Sequence, residues 1–196
     1  MKRLPVCLLL VLLAACSSHI ETDNSLWPTF GHDASNNKFS ALTQIDSSNV
    51  SQLREVWRFE DTTEGGGVYF NPVMVNNRVI GLMPSNRLVA LDAATGKLLW
   101  EFVPDTSYIS NWSKGMTYHR GNPDRIFLVS GGTLYAINAG TGKVMPDFGD
   151  NGRVDFYTGL EVPDSMRARV PVSSNAPGVV YEDKLIIGCK VPDELP

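Results

Sequence analysis

Cysteine is scarce in this 196-residue chain: there are three, and two of them, Cys7 and Cys16, fall within the first sixteen positions. No pair of Cys or His residues has zinc-ligand spacing, and neither a glycine-rich phosphate loop nor a serine-triad pattern occurs. The acidic run Asp147 to Asp155 lacks the spacing of an EF-hand loop, and His32 and His119 stand in no ligand pattern and read as structural or surface residues. Positive charge is also short. Seventeen Lys and Arg face 21 Asp and Glu, for a net charge of −4 and a pI near 5.3, which excludes the basic footprint of a nucleic-acid binder. Long hydrophobic runs are missing too: Leu4 to Leu13 is about half the length a membrane-crossing helix needs. Helical periodicity is nearly absent, and Asp46 to Leu53, opened by Asp46 or Ser47, is the one segment that reads as a short helix.

What is present is a globular, turn-rich composition: 43% hydrophobic and 19% charged residues, with 17 Gly and 12 Pro. The amino terminus reads as an address. Lys2 and Arg3 precede the apolar run, which ends in Leu13-Ala14-Ala15-Cys16 and resembles a bacterial lipobox. This predicts a signal peptide over residues 1–15, lipidation of Cys16 as a membrane anchor, and a tether over 16–26. An ordinary signal peptide with a chance cysteine is the alternative. Ser17 after the cysteine points to the outer membrane by enterobacterial sorting, on the periplasmic side. The mature chain would carry 15 basic and 21 acidic residues, with Cys189 its one free thiol, so no internal disulfide is expected.

Internal repeats organise the rest. Arg87-Leu-Val-Ala-Leu-Asp-Ala-Ala-Thr-Gly-Lys-Leu-Leu-Trp-Glu-Phe102 recurs as Thr133-Leu-Tyr-Ala-Ile-Asn-Ala-Gly-Thr-Gly-Lys-Val-Met-Pro-Asp-Phe148, an offset of 46 residues. An apolar run precedes each copy, Arg78 to Leu82 and Arg125 to Val129, and a third appears at Lys184 to Gly188. Asn76-Asn77, Glu182-Asp183 and Asn151-Gly152 are turn pairs, and Asp92 to Gly96 is a hairpin loop in which Asp accepts turn amides and Gly takes a positive φ. A period in the forties with four strands per unit is what a β-propeller blade requires. The expected fold class is therefore all-β, a partial propeller of two to three four-stranded antiparallel blades over residues 27–196.

Ala90-x-Asp92-x-x-Thr95-Gly96-x-x-x-Trp100 resembles the tryptophan motif of PQQ-repeat propellers, and Ala136-x-Asn138-x-x-Thr141-Gly142 is a degraded copy with Pro146 in place of Trp. The resemblance implies an eight-bladed ring in which each indole packs on the neighbouring blade and donates a hydrogen bond across the gap. Two kinds of protein carry such repeats: quinoprotein dehydrogenases, and non-enzymatic scaffold lipoproteins of the outer-membrane assembly type. The run from Trp27-x-x-Phe30-Gly31-x-Asp33 through Asn49-Val50 to Trp57 is similar to the amino-terminal signature of the dehydrogenases. Phe148 to Asp155 and Lys114-Gly115-Met116-x-Tyr118 are similar to segments of the membrane-bound glucose dehydrogenase branch.

That resemblance implies PQQ and calcium as cofactors, an alcohol or sugar as substrate, and a quinone or cytochrome as electron acceptor. It assigns Lys114 to the position of a PQQ-contacting arginine, against the alternative of a solvated surface lysine. Tyr108 or Trp112 would supply a stacking plane for PQQ, or else serve as core aromatics. Glu194, with Asp193 beside it, falls where a calcium-binding glutamate follows the strand. No catalytic residue is assigned within these 196 positions. Eight blades need on the order of 400 residues. The motif Asp of the third repeat is due near position 198, so further repeats are expected beyond Pro196.

Overall fold

The computed structural model describes residues 26–62, 69–105 and 114–190. Four strands, β1 (Val73–Val75), β2 (Arg78–Leu82), β3 (Leu88–Asp92) and β4 (Leu98–Phe102), form one antiparallel sheet in sequence order. A second sheet repeats the order with β5 (Thr117–His119), β6 (Arg125–Ser130), β7 (Thr133–Asn138) and β8 (Arg153–Asp155). The pair β9 (Val179–Tyr181) and β10 (Lys184–Ile186) begins a third. These are two complete blades and the inner half of another, as the repeat predicts.

The turns are those the sequence asks for. Asn76 and Asn77 both have positive φ, 50° and 57°, and so do Asn151 and Gly152 at 50° and 86°, as a two-residue type I′ connection requires. In the first motif loop, Asp92 Oδ1 accepts from the Thr95 amide at 2.9 Å and the Thr95 hydroxyl at 2.7 Å. In the second, Asn138 Oδ1 accepts from the Gly140 and Thr141 amides at 2.9 and 3.0 Å. Asn can replace Asp here because the loop uses only the acceptor oxygen.

The core lies between blades. Ile126 and Leu128 of β6, with Tyr135 and Ile137 of β7, pack on Val73, Val75, Ile80, Leu88 and Ala90 of the first blade. The intervening residues Phe127, Leu134 and Ala136 face the third unit, against Val180, Leu185 and Ile187. Successive side chains leave opposite faces of a strand, so a blade covered on both sides reads as a continuous apolar run. Each wholly buried Ile or Leu in it contributes about 1.5–3 kcal/mol.

Two indoles clasp the seams. Trp100 Nε1–H donates to Ala139 O at 3.2 Å, and its ring lies over Gly142. Trp57 Nε1–H donates to Ala93 O at 3.1 Å, with its ring over Gly96. Pro146 has no N–H for the ladder. Val144 still bridges Ile137, but the chain then turns at Asn151-Gly152 and regains the edge of β7 only at β8.

One expectation is corrected. The helix expected over Asp46 to Leu53 is a single 3-10 turn, Val50–Gln52. Asp46 Oδ1 accepts from the Ser48 amide and hydroxyl at 2.7 and 2.6 Å, and the Asn49 side chain bonds the Asp46 amide and Gln44 O. Short polar side chains thus satisfy the backbone locally and stop the helix at one turn.

Candidate functional site: the rim of the inner strands

The first strands of the three units lie innermost, with β5 against β9 and Trp27 bridged to Met74 of β1. The segments that enter them are tied together. Asn71 donates to Lys114 O from its amide at 3.1 Å and from Nδ2 at 2.9 Å, and the Lys114 amide donates to Asn175 O at 2.8 Å. Farther in, Thr117 Oγ1 donates to Gly178 O at 2.9 Å. Lys114 therefore has a main chain clamped from both neighbouring blades and a side chain open to solvent. The flexible ammonium thus starts from a fixed main chain.

Below the rim, a cleft of about 750 Å³ runs along β5 and β9 and is closed on one side by the loop from Leu26 to Asn36. Its walls include Phe30, Met116, Tyr118 and Pro177, with Asp33, His119 and Arg120 as the ionisable groups. Asp33 is already engaged. The Ser35 hydroxyl, at 2.6 Å, holds its carboxyl below the ordinary value, aided by the Ser35 amide. The Tyr118 hydroxyl donates to Asp124 Oδ2 at 2.8 Å, and burial pushes its own pKa up. Burial works against the Asp124 carboxylate, but the Gly121 amide, Tyr118 and Asn76 outweigh it and keep it below the carboxylate norm. Asn76 belongs to the first blade, so Asp124 is a cross-blade tie, not a spare base.

Among the described residues no group of three His, Cys, Asp or Glu side chains is placed to hold a metal ion. Of the residues expected from sequence, Lys114 is on the rim. Tyr108, Trp112, Glu194 and Cys16 lie outside the described residues. His32 packs against Trp27 with ring centroids 4.9 Å apart and ring planes tilted by 42°, a structural role.

The sequence profile described as "PQQ: Glucose/ethanol/alcohol dehydrogenase, beta-propeller domain" matches residues 27–196. The chain belongs to this family. Among its quinoprotein relatives, the quinate/shikimate dehydrogenase (quinone) of Acinetobacter baylyi is 31% identical over 200 residues, covering 86% of this chain and 24% of that protein. Quinoprotein glucose dehydrogenase A of Acinetobacter calcoaceticus is 28% identical over 200 residues, covering 85% of this chain and 24% of its own length. The crystal structure of quinohemoprotein alcohol dehydrogenase from Comamonas testosteroni shares the fold, with a TM-score of 0.65 at 23% identity over 85% of this chain and 23% of that one. The chain spans about a quarter of the length of the curated quinoproteins it matches.

Trp57, read from sequence only as the end of the amino-terminal signature, and Asp61, which the sequence does not single out, are structural anchors. Asp61 Oδ2 accepts from the Ser85 amide at 3.2 Å and hydroxyl at 2.6 Å, and Arg87 lies 3.4 Å from its other oxygen. The signal for Trp57 was its spacing to Trp100, 43 residues, close to the repeat length.

Proposed function

We propose that the whole protein is a PQQ-dependent dehydrogenase that oxidises an alcohol or aldose CH–OH at the periplasmic side of a bacterial membrane. The observation that carries this reading is the family match along residues 27–196, with a lysine fixed on the rim where the inner strands begin. The reaction removes two electrons and two protons from CH–OH to leave a carbonyl. PQQ, when bound, supplies the two-electron acceptor. In this chain Lys114 binds one carboxylate of that cofactor as a point charge. The hydrogen bonds from Asn71 and to Asn175 hold its backbone in place.

Calcium belongs to this proposal through Glu194, a hard oxygen ligand of the right chemistry. Relatives named for their acceptors support a quinone or a cytochrome as electron sink: an alcohol dehydrogenase (quinone) of Gluconobacter oxydans and a 1-butanol dehydrogenase (cytochrome c) of Thauera butanivorans. Cys16 supplies the lipid anchor, residues 1–15 the signal and 16–26 the tether to the propeller domain that starts at residue 27.

The test is titration of the purified, cofactor-free whole gene product with PQQ, followed by absorbance, with and without excess Ca²⁺. Saturable uptake that needs Ca²⁺ and weakens in Lys114→Ala is the expected result. No uptake at micromolar PQQ with Ca²⁺ present overturns the reading in favour of a non-enzymatic scaffold.

A further inference from the structure

Between β8 and β9 the chain runs through residues 156–178 with no strand of its own and one 3-10 turn, Asp164–Met166. Connections of this length are uncommon and usually serve function. This one is folded around Tyr157, which is buried. The Tyr157 hydroxyl is engaged wholly with the main chain. It donates toward Val170 O at 3.0 Å and Arg167 O at 3.2 Å, and it accepts from the Val172 amide at 2.9 Å. The ring has a separate task. It lies on Gly132, in the turn between β6 and β7, where an added Cβ would be 2.8 Å from Cε2. The Arg167 guanidinium sits 4.5 Å from the ring centroid while bonding Asp155 at 2.8 Å. Packing thus belongs to the ring, and recognition of the loop backbone to the hydroxyl.

What the hydroxyl holds leads straight to the rim. Val172 is buried, and the residue after it, Ser173, exchanges two main-chain hydrogen bonds with Lys190, at 3.0 and 2.6 Å. Ser174 is buried as well, and its hydroxyl donates to Ala176 O at 2.9 Å. Asn175, between those two, presents its carbonyl to the Lys114 amide at 2.8 Å. The acceptor that fixes Lys114 therefore belongs to a short segment pinned at Val172 by Tyr157. Loss of the hydroxyl alone leaves the Val172 amide buried without its acceptor, which the chain relieves by moving this segment.

We propose that Tyr157 is a positioning residue for Lys114. Through the Val172 amide it sets the segment from Val172 to Asn175, and through Asn175 O it sets the main chain from which the Lys114 ammonium reaches into the rim. A lysine side chain is a flexible stem carrying a point charge, so its ammonium is only as well placed as the backbone beneath it. The long connection after the second blade is thus part of the anion-binding rim, although its anchoring tyrosine lies away from the charge it serves. The inference deepens the reading of Lys114 as the cation for a PQQ carboxylate and rests on that reading for its effect on the cofactor. The relay from Tyr157 to Lys114 is independent of it.

The test compares the whole gene product with its Tyr157→Phe variant, which keeps the ring. Hydrogen exchange of the cofactor-free proteins, read by mass spectrometry, follows peptides containing Val172 and Lys114, with a peptide over Leu88–Asp92 as the control for the fold. Exchange should quicken at both Val172 and Lys114 and stay unchanged in the control. With PQQ and excess Ca²⁺, Tyr157→Phe should raise the Kd roughly tenfold, the size expected when a buried donor is left unmet. In a Lys114→Ala background the same change should add nothing, because the group it positions is gone. Quickened exchange at Val172 with none at Lys114 overturns the inference, and so does an equal loss of PQQ affinity in both backgrounds, the mark of a general loosening. If the unsubstituted protein takes up no PQQ, the cofactor reading of Lys114 fails, and the exchange at Lys114 alone upholds or overturns the relay.

Discussion

Replacing Gly142 by alanine puts two costs on one methyl group. The φ of Gly142 is +70°, and an L side chain in that left-handed region costs about 1–2 kcal/mol. The new Cβ would also sit 2.6 Å from Trp100 Cε3 and 2.8 Å from Cδ2, an overpacking worth about 1–3 kcal/mol. Gly142→Ala is therefore expected to cost about 2–5 kcal/mol in all. Trp100→Ala, which removes a half-buried indole and its N–H bond, is expected to cost about 2–4 kcal/mol. In the double variant the clash leaves with the ring and only the backbone cost of alanine persists. The pair should thus lose about 1–3 kcal/mol less than the two single changes together. Urea unfolding followed by far-ultraviolet circular dichroism reads all four proteins. Additivity to within about 0.5 kcal/mol would refute the clasp. The same cycle at Gly96, with φ +69° and Trp57 at 2.6 Å, should return a similar coupling.

Three further outcomes are expected. The Thr95 hydroxyl holds the Asp92 carboxyl below its ordinary 3.8, so the group contributes stability above that value and loses it as pH falls through the lowered one. The advantage of wild type over Asp92→Asn in melting temperature should then be steady above about pH 5 and shrink in stronger acid, and a constant difference down to pH ~3 would contradict this. Lys114→Arg should tighten PQQ binding in the absorbance titration, because a guanidinium offers a carboxylate two parallel donors where an ammonium offers one point of charge. Cys16→Ser should move the protein from the membrane pellet to the soluble periplasm on fractionation, whereas a variant that stays in the pellet would remove the lipid anchor.

The blades were legible because their signals are local. The apolar runs at Arg78–Leu82 and Arg125–Ser130, the Asn76-Asn77 turn and the Asp92 to Gly96 loop each encode their conformation within a few residues. Asp46 to Leu53 misled for the same reason in reverse: a sequence with helical caps also has the side chains that satisfy the backbone without a helix. Apart from the tryptophan clasp, which the motif implied, the cross-blade ties escaped. Asn86 Nδ2 donates to Ser130 Oγ at 2.9 Å in a buried pair 44 residues apart, and neither residue announces the other. Lys114 was found by resemblance alone, since the clamp that fixes it is made of main-chain groups that any residue carries.

Pro146 gives the described blades a place to part first. The seams at Trp57 and Trp100 are latched by an indole over a glycine, but the seam after the second blade has proline at that position. It is held by the inner-strand hydrogen bonds from Lys114 to Asn175 and from Thr117 to Gly178, and by Phe127 and Phe148, ring centroids 5.3 Å apart, against β9 and β10, beside a gap of about 320 Å³. Among the described seams this is the one without an indole latch, and heat or mechanical load concentrates there. The third unit would then peel from the second as a flap, while the first two blades stay joined.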